Sequence, residues 1–576
     1  MAGLVSIAAG DGHFRYAIKA GARRIAKGIA KWIEWVWIEW VDRMGTVSAL
    51  FALAAAAIIS SWAWLGAAVE MPRSPLGPGE KLHCVSYAPF RGEEDPLGPD
   101  IPVDPRQIAQ DLAQLKAVTD CVRTYAVDHG LDRIAEIAAG HGMKVIQGLW
   151  LSSRPERNRR QIEATVELAK RFPGVIAAIV VGNEVLLRGE MSARDLARTI
   201  AEVKSRVSVP VTYADVWEYW LRNRDIAAEV DFITVHILPY WEDFPIASRD
   251  AASHVDSIRK RVAEAFPGKE IFIGEFGWPS AGRMREGALP SPMDQARAIQ
   301  ETLALARRGS YRINLMEAYD QPWKRLLEGT VGGHWGLLDG KRRTAKFAWG
   351  AAVSDHPHWR WQATGGVALA AAIFAAAFAA SRQTAFAGSA PFWLRIAAIA
   401  IVSGTLIGWT VENVPLESLG LAGWLRSLAF AAVGMLSPIL AAACLGSGRR
   451  LPTFARILSR ADAAPTLARV ELAVGALLIA LALLALPAAL GLVFDPRYRD
   501  FPFAPLTGAA VPLLFLAKLK LRPKAPAAER VMATALVFSA IYIVANEGLA
   551  NWQACWFGAA LAALALTLLR GQVAPG

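Results

Sequence analysis

Apolar and polar positions divide the chain into three regimes. One unbroken apolar run covers residues 44–70, long enough to cross a bilayer. From about residue 80 to 355, short apolar runs alternate with longer stretches in which apolar residues recur at helical spacing. Long apolar runs then return at 364–380, 393–411, 426–445, 470–493, 503–519, 531–547 and 552–569. The middle regime predicts eight short strands, at 83–88, 121–126, 144–149, 176–181, 210–213, 231–236, 270–273 and 312–317. Between them the spacing predicts helices at 108–117, 131–139, 159–171, 193–206, 251–265 and 291–307. Strand–helix alternation over about 275 residues predicts an α/β domain, a (β/α)8 TIM barrel. It is inserted between an N-terminal transmembrane anchor and a C-terminal all-α multi-span membrane domain of about seven helices, 364–570.

Residues 1–43 are basic and Trp-rich: Trp32, Trp35, Trp37 and Trp40 interleave with Glu34 and Glu39 behind Arg15, Lys19, Arg23, Arg24, Lys27 and Lys31. This composition fits a segment at a membrane interface, with a plain cytoplasmic tail as the alternative. The run at 44–70 lacks a small-residue cleavage site and follows an unusually long basic stretch, so it reads as an uncleaved anchor. Residues 71–79, rich in Pro and Gly, form a linker before the barrel at 80–355.

Composition sharpens the membrane reading. Of 576 residues 54% are hydrophobic and the formal net charge is +11, so an ordinary soluble protein is excluded. The basic balance does not point to nucleic acid, because Lys and Arg cluster between apolar runs. Arg382 and Arg395, then Arg449, Arg450, Arg456, Arg460 and Arg469, then Lys518, Lys520, Arg522, Lys524 and Arg530 mark cytoplasmic loops. The loops with Glu412 and Glu417, with Asp495, Arg497 and Asp500, and with Glu547 are poorer in basic residues and fall on the other side, with the barrel. In a Gram-negative cell that side is the periplasm, and the protein is a multi-pass inner-membrane protein. Asn546, Glu547, Asn551 and Gln553 either line a path, bind a partner or form a short wet loop. Of four cysteines, Cys84 and Cys121 fall in neighbouring strands; separate buried thiols are preferred to a disulfide.

Two predicted strands end in the same way. The apolar run 176–181 is followed by Gly182-Asn183-Glu184, and 271–273 by Gly274-Glu275 with Phe276-Gly277-Trp278-Pro279 behind it. A carboxylate at the end of a buried strand is costly unless its charge is used. Parallel barrel strands bring both glutamates to one mouth. Tyr87, Arg123, Tyr125, Trp150, Tyr213, Asp215, Trp217, His236, Tyr240, Glu317, Tyr319, Asp320 and Trp323 also fall at strand tips. Aromatic faces and hydrogen-bonding polar groups suit carbohydrate. Paired carboxylates suit glycosidic cleavage, and Asn183 is placed to hold a sugar 2-hydroxyl. The alternatives are structural ion pairs for the glutamates and ordinary packing for the aromatics; His236 reads equally as a structural hydrogen-bonding residue or a sugar contact. Glu317 and Asp320 are expected to bind hydroxyls or tune neighbours. No metal-ligand cluster, phosphate loop or nucleophile elbow is visible, and no cofactor is expected.

Val181-Gly182-Asn183-Glu184 and Ile273-Gly274-Glu275-Phe276-Gly277-Trp278-Pro279-Ser280 resemble glycoside hydrolase family 17. Glu317-Ala-Tyr-Asp-Gln-Pro-Trp-Lys324 and His334-Trp-Gly-Leu-Leu-Asp339 resemble its fungal and bacterial branch, while the eighth strand departs from the plant members. The resemblance implies a barrel acting on β-1,3-glucan with retention, Glu184 as acid/base and Glu275 as nucleophile. Retention in turn predicts carboxyl groups about 5–5.5 Å apart. The arrangement of barrel and spans resembles rhizobial membrane proteins that build periplasmic cyclic β-(1,3),(1,6)-glucans. It implies a β-glucan transglycosylase forming β-1,3 or β-1,6 linkages, with an endo-β-1,3-glucanase or a non-catalytic glucan-binding or export subunit as alternatives. The partners implied are a β-glucan oligosaccharide or polysaccharide and the lipid bilayer, with a glucan synthase as a further candidate. Trp278, Tyr240 and Trp323 are expected to form the platform for an acceptor sugar.

Overall fold

Eight short parallel strands, each laid beside its predecessor in sequence, close on themselves as β8 pairs with β1. The computed structural model describes residues 45–570 apart from 93, 100, 383, 385–388, 459–466 and 518–525. The basic Trp-rich segment 1–43 and, of the loops expected to be cytoplasmic, residues Arg460, Lys518, Lys520, Arg522 and Lys524 lie outside the described residues. The strands are β1 (Cys84–Ser86), β2 (Cys121–Arg123), β3 (Lys144–Leu149), β4 (Ile176–Asn183), β5 (Val211–Val216), β6 (Ile233–His236), β7 (Ile271–Phe276) and β8 (Ile313–Leu315). All eight fall on predicted strands.

A helix, α1 (Gly45–Leu65), precedes the barrel. Its crossover helices are α2 (Pro105–Leu115), α3 (Arg133–Gly140), α4 (Pro155–Arg171), α5 (Ala193–Arg206), the short α6 (Trp217–Arg222), α7 (Ser248–Ala265) and α8 (Pro292–Gly309), with α9 (Arg325–Gly332) after β8. Local chemistry sets their starts. Asp104, Ser192 and Ser291 each accept a backbone N–H at the first turn of α2, α5 and α8, and Pro occupies the first turns of α2, α4 and α8. The sequence reading did not resolve α6 and α9, which are too short to show a period.

The bottom of the barrel interior is apolar: Ile146, Ala178, Val180, Ala214, Phe232 and Phe272 pack with Cys84 and Cys121. Those two cysteines form a disulfide, which corrects the expectation of separate thiols. The register explains it: Val85 lies opposite Val122, so the preceding residues of β1 and β2 are neighbours, with Cα atoms 4.5 Å apart.

The C-terminal helices are α10 (Trp359–Ser381), α11 (Ala390–Glu417), α12 (Gly420–Gly446), a short α13 (Phe454–Leu458), α14 (Arg469–Phe494), α15 (Phe503–Leu516), α16 (Ala527–Glu547) and α17 (Trp552–Leu569). Among the described residues seven helices, α1 included, are long and apolar enough to cross a membrane; α15 is not among them. The predicted span 503–519 is thus corrected to a helix of 14 residues. At about 1.5 Å per residue it reaches roughly 21 Å, short of a bilayer core of about 30 Å. It is instead enclosed by its neighbours, with Leu506, Ala509, Ala510 and Leu513 fully buried.

The loops that the charge pattern groups with the barrel are the ones that touch it. Arg325 donates to the carbonyls of Leu416 and Ser418 at 2.6 and 2.9 Å, and His356 meets Glu412 at 2.7 Å. Thr330 donates to Asp500 at 2.6 Å. Buried Arg283 forms an ion pair with Glu547, while Asn551 donates to the Met284 carbonyl and Gln553 accepts from its N–H. Glu547, Asn551 and Gln553 therefore clasp the loop after β7. At the far ends of the helices, Thr384 donates to the Gly446 carbonyl and the Phe454 N–H to Glu529. Among the described residues, Arg382, Arg449, Arg450, Arg456 and Arg530 neighbour these contacts in sequence.

Candidate active site

Backbone irregularities at the ends of β4 and β7 aim the two glutamates. The β4–β5 pairing slips between Val180 and Asn183, and Gly182 (φ +85°) and Glu184 (φ +52°) both adopt left-handed backbone. A side chain on Gly182 would meet Val185 at 2.6 Å, so glycine is needed both for the angle and for the space. Across the barrel the β6–β7 pairing slips between Val235 and His236, which sets His236 directly opposite Glu275. A Cβ on Gly274 would lie 2.3 Å from Thr234 and 3.3 Å from the His236 ring, so its absence lets that ring sit against the strand.

The result is one connected charged cluster. His236 Nδ1 is 2.9 Å from Glu184 Oε1, and its Nε2 is 3.5 Å from Glu275 Oε1. Fully buried Arg123 donates to Glu275 Oε1 at 2.8 Å, to the Gly274 carbonyl at 2.9 Å and to Asn183 Oδ1 at 2.6 Å. Tyr125 donates to the same Glu275 oxygen at 2.9 Å and stacks beneath the Arg123 guanidinium. Donor atoms of Glu184, His236 and Glu275 all lie within 4.8 Å of one another. Such a trio has the composition of a metal site, but Arg123 already supplies a cation 2.8 Å from Glu275. A metal ion there would face that charge at close range.

The environments of the two carboxylates differ. The Glu184 side chain is 22% exposed and Glu275 only 6%. Burial pushes the Glu275 carboxyl up, but His236, Arg123 and Lys324 together with the Tyr125 hydrogen bond outweigh it and hold the pKa below the ordinary value. Asp215, beneath the loop after Glu184, is pushed up to about 6 by burial. It accepts from the Tyr213 hydroxyl and from the Leu187 N–H, while the Tyr213 hydroxyl accepts from the Leu186 N–H at 3.1 Å. Both residues hold the Glu184 loop rather than open into the cleft. Glu317 is pushed up to about 7 by burial, although Lys324 reaches both of its oxygens at 2.9 Å.

Several expected sugar contacts are sealed inside the protein. Tyr87 and Tyr319 are 1% exposed and their hydroxyls donate to Asp111 and Gln114. Asp320 accepts from Lys346 and from the Gly336 N–H. Tyr240 and Trp278 are fully buried, donating to the carbonyls of Arg283 and Leu289, so neither forms the expected acceptor platform. The common reason is that most of these residues lie in the loops just past the strand ends, and one-dimensional position does not say whether a side chain there turns into the cleft or into the surrounding helices and loops. Half-buried Trp323 remains at the mouth, as do Tyr125 and the Asn183 amide. Sequence reasoning missed Trp241, half-buried beside Tyr240 and stacked on Trp335 at 6.4 Å. The aromatic pair Tyr240-Trp241 was the available signal; which of the two faces outward was not. It also missed Glu328, whose carboxyl is raised by burial and also feels Lys324, Glu184 and Glu275.

Residues 84–336 match the family model of the BtgE/BtgC glycoside hydrolase domain. A glucan 1,3-beta-glucosidase of Arthroderma benhamiae is 30% identical over 260 residues, which span 42% of this chain and 83% of that protein. A glucan 1,3-beta-glucosidase of Saccharomyces cerevisiae is 24% identical over 250 residues, 40% of this chain and 80% of its own. Among solved structures, a glycoside hydrolase family 17 β-1,3-glucanosyltransferase from Rhizomucor miehei covers 46% of this chain and 96% of its own, at 25% identity and a TM-score of 0.42.

Proposed function

The chain belongs to the BtgE/BtgC glycoside hydrolase family, of family-17 type, and from that premise we propose that it is a membrane-embedded, periplasm-facing, retaining transglycosylase that takes β-1,3-glucan as donor. The observation that carries the reading is the cluster at the mouth: two carboxylates with oxygens within 4.8 Å, joined through one histidine, one of them buried among cations. Inverting enzymes need about 6.5–9.5 Å for a water between the carboxyl groups, whereas retaining ones use about 5–5.5 Å. Glu275, held ionised by Arg123, attacks the anomeric carbon, and the more exposed Glu184 protonates the departing oxygen. The Asn183 amide faces the sugar 2-hydroxyl. Glu184 then removes the proton from the acceptor hydroxyl that displaces Glu275.

Water is present at roughly 55 M, so a sugar acceptor wins only where the site holds it in place; well-oriented groups reach effective molarities far above that. The test uses the full chain in detergent with one defined linear β-1,3-gluco-oligosaccharide. Products longer than the substrate, joined by β-1,3 or β-1,6 linkages, are expected. Only shorter products at millimolar oligosaccharide favour the endo-glucanase instead.

The periplasmic location draws support from the basic loops grouped opposite the barrel and from the Cys84–Cys121 disulfide, which suits an oxidising compartment. Its setting, by the same reading, is a bacterial inner membrane where periplasmic glucan is built, with a glucan synthase as a partner. Reporter fusions near residue 75 and near Asp495 are expected to report periplasm, and fusions near Arg456 cytoplasm. A cytoplasmic signal from the first of these sinks the localisation.

A further inference from the structure

The loop 495–502 between α14 and α15 belongs to the membrane domain and lies outside the family-matched residues, yet it is built into the rim of the barrel mouth. Three anchors fix it. Gly329 (φ +70°) leaves room for the Tyr498 carbonyl, which a Cβ there would meet at 2.1 Å. Thr330 donates to Asp500 at 2.6 Å, and the Arg283 guanidinium lies over the Phe501 ring at 4.7 Å. With its backbone held, the loop presents two side chains to the barrel. Half-buried Tyr498 meets Trp241 edge to face at 6.0 Å. Exposed Arg497 stands 5.7 Å from the Trp241 ring and 5.6 Å from the Tyr498 ring. Trp241 is braced from behind by Trp335, with the rings 19° from parallel. Glu328, on α9 beside the Gly329 that admits the Tyr498 carbonyl, is within electrostatic reach of Arg497 and of Glu184 and Glu275.

We propose that Trp241, Tyr498, Arg497 and Glu328 form a sugar-binding subsite which the membrane domain adds to the cleft, taking a glucosyl unit of the β-glucan chain at a distance from the bond being broken. This rests on the glycan-processing reading above. The chemistry matches a hexopyranose: two aromatic rings offer an apolar surface to its C–H face, and a guanidinium and a carboxylate flank them with donors and acceptors for its hydroxyls. The apolar surface is rigid and braced, so little conformational entropy is lost when the sugar docks. Trp241 and Glu328 fall within the family-matched stretch 84–336, whereas Arg497 and Tyr498 lie outside it.

The experiment measures binding of a short and a long linear β-1,3-gluco-oligosaccharide to the full chain in detergent by titration calorimetry, in a Glu275→Gln background so that nothing is consumed. Arg497→Ala and Tyr498→Ala are each expected to reduce the ratio of long-chain to short-chain affinity by about tenfold, the scale of one aromatic or charge-assisted contact. Tyr498→Phe, which keeps the ring, is expected to retain most of that ratio. If both alanine variants leave the ratio unchanged, or weaken short and long chains equally, the subsite is overturned. The same holds if the parent binds neither oligosaccharide. Arg497 is exposed and is not one of the three anchors that fix the loop, so its variant keeps the test valid where Tyr498→Ala does not assemble. The product test of the preceding section is a separate readout: a wild-type protein that only hydrolyses, but whose affinity ratio falls in the variants, removes the transfer reading and leaves the subsite standing.

Discussion

Glu275→Gln is expected to abolish formation of a glycosyl-enzyme on every donor, including those with activated leaving groups. The amide is nearly isosteric and still accepts from Arg123 and Tyr125, but it cannot attack the anomeric carbon. A loss of about 10⁴-fold or more in kcat/KM corresponds to roughly 5.5 kcal/mol of barrier, a scale that removal of the attacking group reaches. Retained trapping of a fluorosugar, read by mass spectrometry of the intact protein, removes Glu275 from that role. The pH profile gives a companion measurement. Attack requires the carboxylate, and the Glu275 pKa is held below its ordinary value, so its acid limb in kcat/KM lies below that value too. Burial alone pushes the group the other way. Removing one of the opposing cations by Arg123→Ala therefore raises the pKa, and the acid limb moves to higher pH. A limb that stays in place, or moves to lower pH, contradicts the assignment.

Glu184→Gln is expected to behave differently according to the donor. With the natural glucan the leaving oxygen needs a proton, and loss of general acid catalysis costs about 10²–10⁴-fold. With a glycosyl fluoride the leaving group needs none, so glycosyl-enzyme formation is largely spared and the second step becomes slow for want of a base. Azide, a nucleophile that needs no deprotonation, then restores turnover and leaves a β-glycosyl azide. The geometry that motivates this split is the asymmetry of the pair: Glu184 is joined only to His236 Nδ1 and is partly open to solvent, while Glu275 is enclosed by Arg123, Tyr125 and His236. Equal losses for the two variants on the fluoride remove the distinction between acid and nucleophile.

The barrel and its reacting pair were legible in the sequence for physical reasons that do not extend to the rest of the site. Buried parallel strands are short apolar runs, and a carboxylate that ends one is conspicuous because burying it is costly. Glu184 and Glu275 therefore stand out. Arg123 was identified as a mouth residue, but its hold on Glu275, Asn183 and the Gly274 carbonyl depends on three strands meeting. The aromatic tips were harder. Tyr240 and Trp241 are adjacent and chemically alike, yet one is sealed beneath the loop after β7 and the other lies half open at the mouth. Arg497 and Tyr498 were visible only as part of a loop between spans, because what places them is the docking of two domains. The length of α15 was misjudged because an apolar run signals burial equally well in lipid and inside a helical bundle.

The two ends of the barrel are stitched together where they leave α1 and α10. Val69 and Val353 exchange both backbone hydrogen bonds, at 2.8 and 3.0 Å, and Ser354 donates to the Gly66 carbonyl at 2.8 Å. Just beyond, Gly66 at the end of α1 lies against the Trp359 side chain at the start of α10, where a Cβ would approach to 2.2 Å. The outgoing and returning strands of the chain are thus already side by side where α1 ends and α10 begins, and the two helices pack on each other through Ile58 against Gly366 and Phe51 against Phe374. A catalytic unit joined this way is a cassette: gained or exchanged by insertion between two neighbouring codons, it leaves the helices beneath it in register. Such an architecture suits one helical scaffold to carrying different catalytic units, provided each newcomer brings its own termini together.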